Sequence, residues 1–151
     1  MKFFVDENVN AGCLDPLRST YRAHEFRYAF DEGLSSTNDI PLFETLAKRR
    51  YHAIITKDRQ QLRNEDERRA LFDAGLHWIG HNAKEHNGLK GIAIETATVT
   101  AGLIFVLANW HPQPHIYRLR GIETEVSQRV RMTAVELEKW GLPPQRGLSL
   151  A

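Results

Sequence analysis

The stretches "FFVDEN" (Phe3–Asn8) and "IITKD" (Ile54–Asp58) share one shape: apolar residues run straight into an acid. A short strand without polar alternation is buried on both faces, the usual situation in a parallel sheet covered by helices. An acid just past such a strand lies at the carboxyl edge of the sheet, where open α/β folds bind their ligands. The two stretches therefore predict both an architecture and the place where its chemistry sits.

Working outward, further strands are expected at 24–29, 52–56, 76–80 and 115–121, beside the first at 2–5. Helices are expected at 9–19, 39–49, 64–74, 88–110 and 123–140, with Pro16 making the first irregular. "DEGLSSTND" (31–39) is a loop by its Gly, Ser and Asn content. Strands alternating with helices predict an α/β fold whose mostly parallel sheet of about five strands is covered on both faces. Residues 1–121 form one domain, and 122–151 are its C-terminal helical extension and tail.

The bulk properties agree with an ordinary globular chain. It has 151 residues, 42% hydrophobic and 26% charged, with a formal net charge of +1. That balance excludes a disordered chain and leaves nucleic-acid binding to local basic patches. Cys13 is the lone cysteine, so no disulfide can form within the chain, as suits a reducing, cytoplasmic setting. "MKFFVDEN" has too short an apolar run for a signal peptide. The apolar-rich segment 88–110 is interrupted by Lys90, Glu95 and four threonines. It reads as a helix buried in the core or in a homodimer contact, not as a membrane span.

Connectivity carries three acids to one rim. Asp6 follows the first strand, Asp58 follows the third, and Asp39 opens the helix that enters from the loop after the second. Clustered carboxylates repel, so protons or a cation must offset the repulsion. A hard ion such as Mg²⁺ suits oxygen ligands, and its usual chemistry is phosphate binding and activation of water for attack on phosphorus. Each acid also has a plainer reading. Asp39 could cap its helix, with Ser36 three residues before it, and Asp6 and Asp58 could be turn residues. Glu7 reads as a solvated neighbour. Lys57 and Arg59 flank Asp58, where they could offset phosphate charge, and Arg63, Arg68 and Arg69 follow, either as further phosphate contacts or as a solvated helix face. Arg118 and Arg120 share one face of the last strand, where they could bind a phosphate or line a sheet edge. His77 and His81 have zinc-like spacing only on a helix, and their segment reads as a strand; His81 is placed just beyond it.

These residues resemble the PIN-like nuclease superfamily, and within it a group of small proteins that open on a "FLVDEN"-type strand. The matching segments are "KFFVDEN" (2–8), "HEFRYAFDEGL" (24–34) and "NDIPLFETLAKRRYHAIITKD" (38–58), covering roughly the first 80 residues. The resemblance implies a three-layer α/β/α fold and Mg²⁺- or Mn²⁺-dependent cleavage of RNA. Many members are toxins of toxin–antitoxin pairs, which implies an antitoxin protein as partner. Carried over by motif, Asp6, Asp39 and Asp58 are the metal ligands. Thr56 orients Asp58 or a water, and Asn8 holds a ligand or phosphate oxygen. Two departures stand out. No clear acid occupies an early helix, leaving Glu7 and Glu44 as stand-ins. Thr-x-Asp continues into "RQQL" (59–62) where many members have a second acid.

Two other classes compete. A phosphorelay receiver would need a Ser or Thr after strand four and a Lys after strand five, and "WIGHN" and "YRLRG" supply neither. A non-cleaving module that binds RNA or a protein partner is favoured by the missing fourth acid. Metal binding separates it from a nuclease.

Overall fold

The computed structural model describes residues 1–81, 87–136 and 141. Five strands form one all-parallel sheet: β1 (Lys2–Val5), β2 (Glu25–Tyr28), β3 (Ala53–Thr56), β4 (His77–His81) and β5 (Ile116–Leu119). Their spatial order is β2-β1-β3-β4-β5. The chain goes from β1 to one side and then returns to the other, so the order reverses between β1 and β3. That pair is in register from Phe3 opposite Ala53 to Val5 opposite Ile55. Such a reversal opens a crevice at the carboxyl edge, because the flanking connections leave on opposite faces.

Side-chain alternation along the strands builds two cores. Phe3, Val5, Ala53, Ile55 and Ile79 face one side, packed with Leu14 and Leu17 of α1 (Leu14–Thr20) and Val99, Leu103 and Val106 of α5 (Gly88–Ala108). Phe4, Ile54 and Trp78 face the other, packed with Leu42, Phe43 and Leu46 of α2 (Asp39–Lys48) and Leu71 of α4 (Glu65–Asp73). All four residues of β3 are buried, as its unbroken apolar run demands. The three-layer α/β/α arrangement is therefore the one expected. A 3-10 turn at Ala11–Cys13 precedes α1, which accommodates Pro16 in its first turn, and a short α3 (Gln60–Arg63) precedes α4.

Two expectations need correction. The helix anticipated over 123–140 shrinks, among the described residues, to one turn, α6 (Val126–Arg129), and 130–136 are not helical. Val126, Val130, Met132 and Val135 are all exposed, so this segment has no packed face to hold a longer helix. The expected tail beyond it lies mostly outside the described residues. The second correction concerns α5. It is long and apolar enough to span a membrane, yet it lies against the sheet through a stripe of Ile94, Glu95, Thr98, Val99, Leu103 and Val106. Ile104 and Phe105 remain exposed, so the helix is only partly buried.

Candidate active site

Asp6 leaves β1 with its backbone N–H still bonded to Ile55 of β3 (2.9 Å), which fixes its position at the switch point. Its carboxylate accepts from the Thr56 hydroxyl at Oδ2 (2.8 Å) and from the Glu7 N–H at Oδ1 (2.9 Å). Burial pushes the Asp6 pKa up; those two hydrogen bonds oppose the rise, and the nearby Glu7 and Asp39 carboxylates add to it. Thr56 is a hub. Its oxygen also accepts from the Asp58 N–H (3.0 Å) and from Asn8 Nδ2 (3.2 Å). Asn8 in turn accepts from the Lys57 N–H (3.0 Å), tying the ends of β1 and β3 together.

Asp39 is the first residue of α2, and the extended residue before it is Asn38. Asp39 does not act as the cap: its Oδ1 accepts from Gln61 Nε2 (2.8 Å), and the Gln61 Oε1 accepts from the buried Trp78 indole (3.2 Å). Nor does Ser36 form a capping box, since its N–H donates to both Glu7 oxygens. Burial raises the Asp39 pKa, the Gln61 bond lowers it, and Asp58 raises it further. Asp58 accepts from the Gln60 N–H (2.9 Å) and so turns the chain into α3.

Asp6, Asp39 and Asp58 line one cleft of about 550 Å³, together with Glu7, Asn8 and Glu67. Glu67, on α4, was not anticipated. Burial raises its pKa first, and Asp39 and Asp58 raise it further, so it belongs electrostatically to the acid group. The signal was available: Glu67 lies four residues before buried Leu71, on the stripe of α4 that faces inward. Glu44 lies elsewhere, in a groove between α2 and α4 with Lys48, Asp66 and Arg69.

The basic residues part from the acids. Lys57 Nζ lies 3.6 Å from Glu95 Oε2 on α5, away from the cleft. Glu95 also accepts from the Asn10 N–H (3.0 Å) and lies 3.4 Å from His81 Nε2. That approach to His81 is off the line of a good hydrogen bond, and both imidazole nitrogens are without a hydrogen-bond partner among the described residues. Burial alone would raise the Glu95 pKa; His81, the Asn10 N–H and Lys57 outweigh it and hold it below the usual value. Sequence reasoning passed over Glu95, whose signal is a single acid in an apolar helix. His81 closes β4 rather than following it, and His77 stands at the opposite end of that strand, too far for a shared metal. Arg59 lines a separate hollow with Arg63 and Arg118.

All the carboxylates of the cleft fall within a segment that has known relatives. A family profile described as "PIN like domain" matches residues 1–82, more than half of the chain. The chain belongs to the PIN-like domain family. No curated protein and no solved structure matches it at a significant level. The match gives this PIN-like chain a nuclease-type fold. It spans Asp6, Asn8, Asp39, Thr56, Asp58, Gln61 and Glu67, and ends before Glu95 and Arg118.

The donor set suits a hard cation. It consists of carboxylates and amide oxygens, and Asp6, Asp39 and Glu67 all have raised pKa values through burial and mutual repulsion. Among the described residues no three His, Cys, Asp or Glu side chains converge closely enough to form a closed metal cage. An open cleft with spread carboxylates fits Mg²⁺ or Mn²⁺ better than zinc, because magnesium is commonly held by one or two carboxylates plus water.

Proposed function

We propose that this PIN-like protein is a cytoplasmic, metal-dependent ribonuclease that hydrolyses phosphodiester bonds of RNA in the acid cleft. The observation that carries the reading is the gathering of Asp6, Asp39, Asp58 and Glu67 along one cleft at the β1/β3 switch point. Asp6, Asp39 and Asp58, with Glu67 beside them, would hold Mg²⁺ or Mn²⁺. The bound ion supplies charge neutralisation at the phosphate and a lowered pKa for water.

The protein's own contribution is positioning. Thr56 and the Glu7 N–H aim the Asp6 carboxylate, Gln61 aims that of Asp39, and the Gln60 N–H aims that of Asp58. Preset orientations of this kind lower the reorganisation needed when charge builds up at the reacting phosphate. Asn8 links Thr56 to the Lys57 backbone and keeps the two strand ends at a fixed separation. The biological setting we favour is the toxin of a toxin–antitoxin pair, with an antitoxin protein that covers the cleft.

The test is cleavage of a labelled single-stranded RNA pool in Mg²⁺, Mn²⁺ or EDTA by wild type and Asp58→Asn. Cleavage with either metal, abolished by EDTA and reduced at least about 100-fold in the variant, is expected for a group that acts at the reacting centre. Intact RNA under every condition favours the second reading, a module that binds RNA or a protein without cutting. The lack of a closed three-residue metal cluster among the described residues speaks for that alternative.

A further inference from the structure

The carboxyl edge carries a second concavity, of about 250 Å³, with the opposite charge. Arg59 approaches it from the loop after β3, Arg63 from the end of α3, and Arg118 from β5, while Trp78 and Gly80 of β4 also line it. Leu62 and His81 complete the lining, and among the described residues no carboxylate joins it; Glu95 stands behind His81 (3.4 Å). Arg27 and Arg49 elsewhere are paired with acids, but none of these three arginines forms an ion pair among the described residues.

The hollow is built in. Arg118 sits directly beside Gly80 across the β4–β5 ladder. Gly80 has no side chain to spare: a Cβ there would come within 2.0 Å of the Trp78 ring, which lies over it. That same indole is bonded through Gln61 to Asp39 of the acid cleft. The turn carrying Arg59 and Arg63 is therefore pinned on both sides. Asp58 lines the cleft and Arg59 lines the hollow, and they are consecutive residues, so their Cα atoms lie about 3.8 Å apart. The two linings therefore adjoin at the Asp58–Arg59 peptide.

We propose that the Arg59–Arg63–Arg118 hollow binds a phosphate of the RNA strand next to the one cleaved in the acid cleft. The proposal rests on the ribonuclease reading for its ligand. Three arginines that line one hollow, without an ion pair among the described residues, suit the several oxygens of one phosphate, because each presents a planar fork of donors. The acid cleft repels a polyanion until a cation fills it, and the basic hollow gives the strand a point of attachment independent of that cation. Arg118 lies outside the segment shared with the family, so this anchor is supplied by the chain's own later part.

The test is fluorescence anisotropy of a labelled single-stranded RNA in EDTA, over a series of KCl concentrations. Arg59→Gln, Arg63→Gln and Arg118→Gln are each expected to weaken binding several-fold and to lower the salt slope by about 0.7, the share of one phosphate contact in a single strand. Arg118→Lys should keep the slope. Arg69→Gln, in the groove between α2 and α4, should bind as wild type does. All the substituted arginines are exposed, so the fold is not disturbed. Wild-type affinity and slope in the three variants, an equal loss in Arg69→Gln, or no RNA binding by wild type would overturn the proposal. Binding in EDTA needs no cleavage, so the two readings fail separately. A chain that binds through these arginines but cuts nothing refutes the ribonuclease. A chain that cuts RNA, with arginine variants unchanged in KM, refutes the hollow.

Discussion

At the scale of single residues, the site depends on side chains that do no chemistry themselves. Thr56 is fully buried, donates to Asp6 and accepts from the Asp58 N–H and Asn8. Thr56→Val keeps the shape and removes all three bonds. It should cost about 2 kcal/mol in urea unfolding, the penalty for leaving buried polar groups unpaired, while Thr56→Ser should cost much less. Gln61→Leu leaves the Trp78 indole unpaired and Asp39 unheld. Its expected signature in steady-state RNA cleavage is a drop in kcat larger than any rise in KM. Asp6, Asp39 and Asp58 were legible in the sequence because each follows or opens an element whose end is fixed by connectivity. Gln61, Glu67 and Glu95 were not. Each is a polar residue whose environment depends on what packs against its helix, and Glu67 is further camouflaged between Asp66 and Arg68.

At the scale of elements, β1 and β3 were the easiest to read, since the apolar runs Phe3–Val5 and Ala53–Ile55 leave few alternatives to a buried parallel strand. The helix expected over 123–140 shortens to one turn among the described residues for the complementary reason. Local propensity without a buried face does not sustain a helix, and Val126, Val130, Met132 and Val135 of that segment face solvent. The close contact within β4 gives a sharp prediction. Gly80→Ala drives a methyl into the Trp78 ring, which is itself buried against α2 and α4. A loss of about 3 kcal/mol in urea unfolding is expected, at the upper end for overpacking. Between β4 and α5, Glu95→Ala removes the acceptor of the Asn10 N–H and the partner of Lys57 and His81. That change should cost about 2 kcal/mol by the same measurement.

At the scale of the whole molecule, the acid cleft makes stability depend on pH and on cations. Asp6, Asp39 and Glu67 have raised pKa values in the fold, so at these three sites the native state holds more protons than the unfolded chain. Their contribution is complete below the unfolded values, near 3.8 for aspartate, and is lost as pH rises through the raised native ones. Glu95 acts in the other direction: its depressed pKa gives stability that is lost as pH falls. His77, whose pKa burial lowers to about 4, also adds stability as pH rises, so in EDTA the expectation is differential: the urea midpoint of Asp39→Asn should gain on that of wild type as pH is raised from 4 to 8. A divalent ion should stabilise wild type, by about 2.7 kcal/mol at a hundred times its dissociation constant. Calorimetric titration of Mn²⁺ at pH 7 tests the cleft most directly. Saturable binding by wild type that is lost in Asp6→Asn and Asp39→Asn is the expected result. A flat wild-type titration, or binding that both variants keep, would contradict the cleft as a metal site.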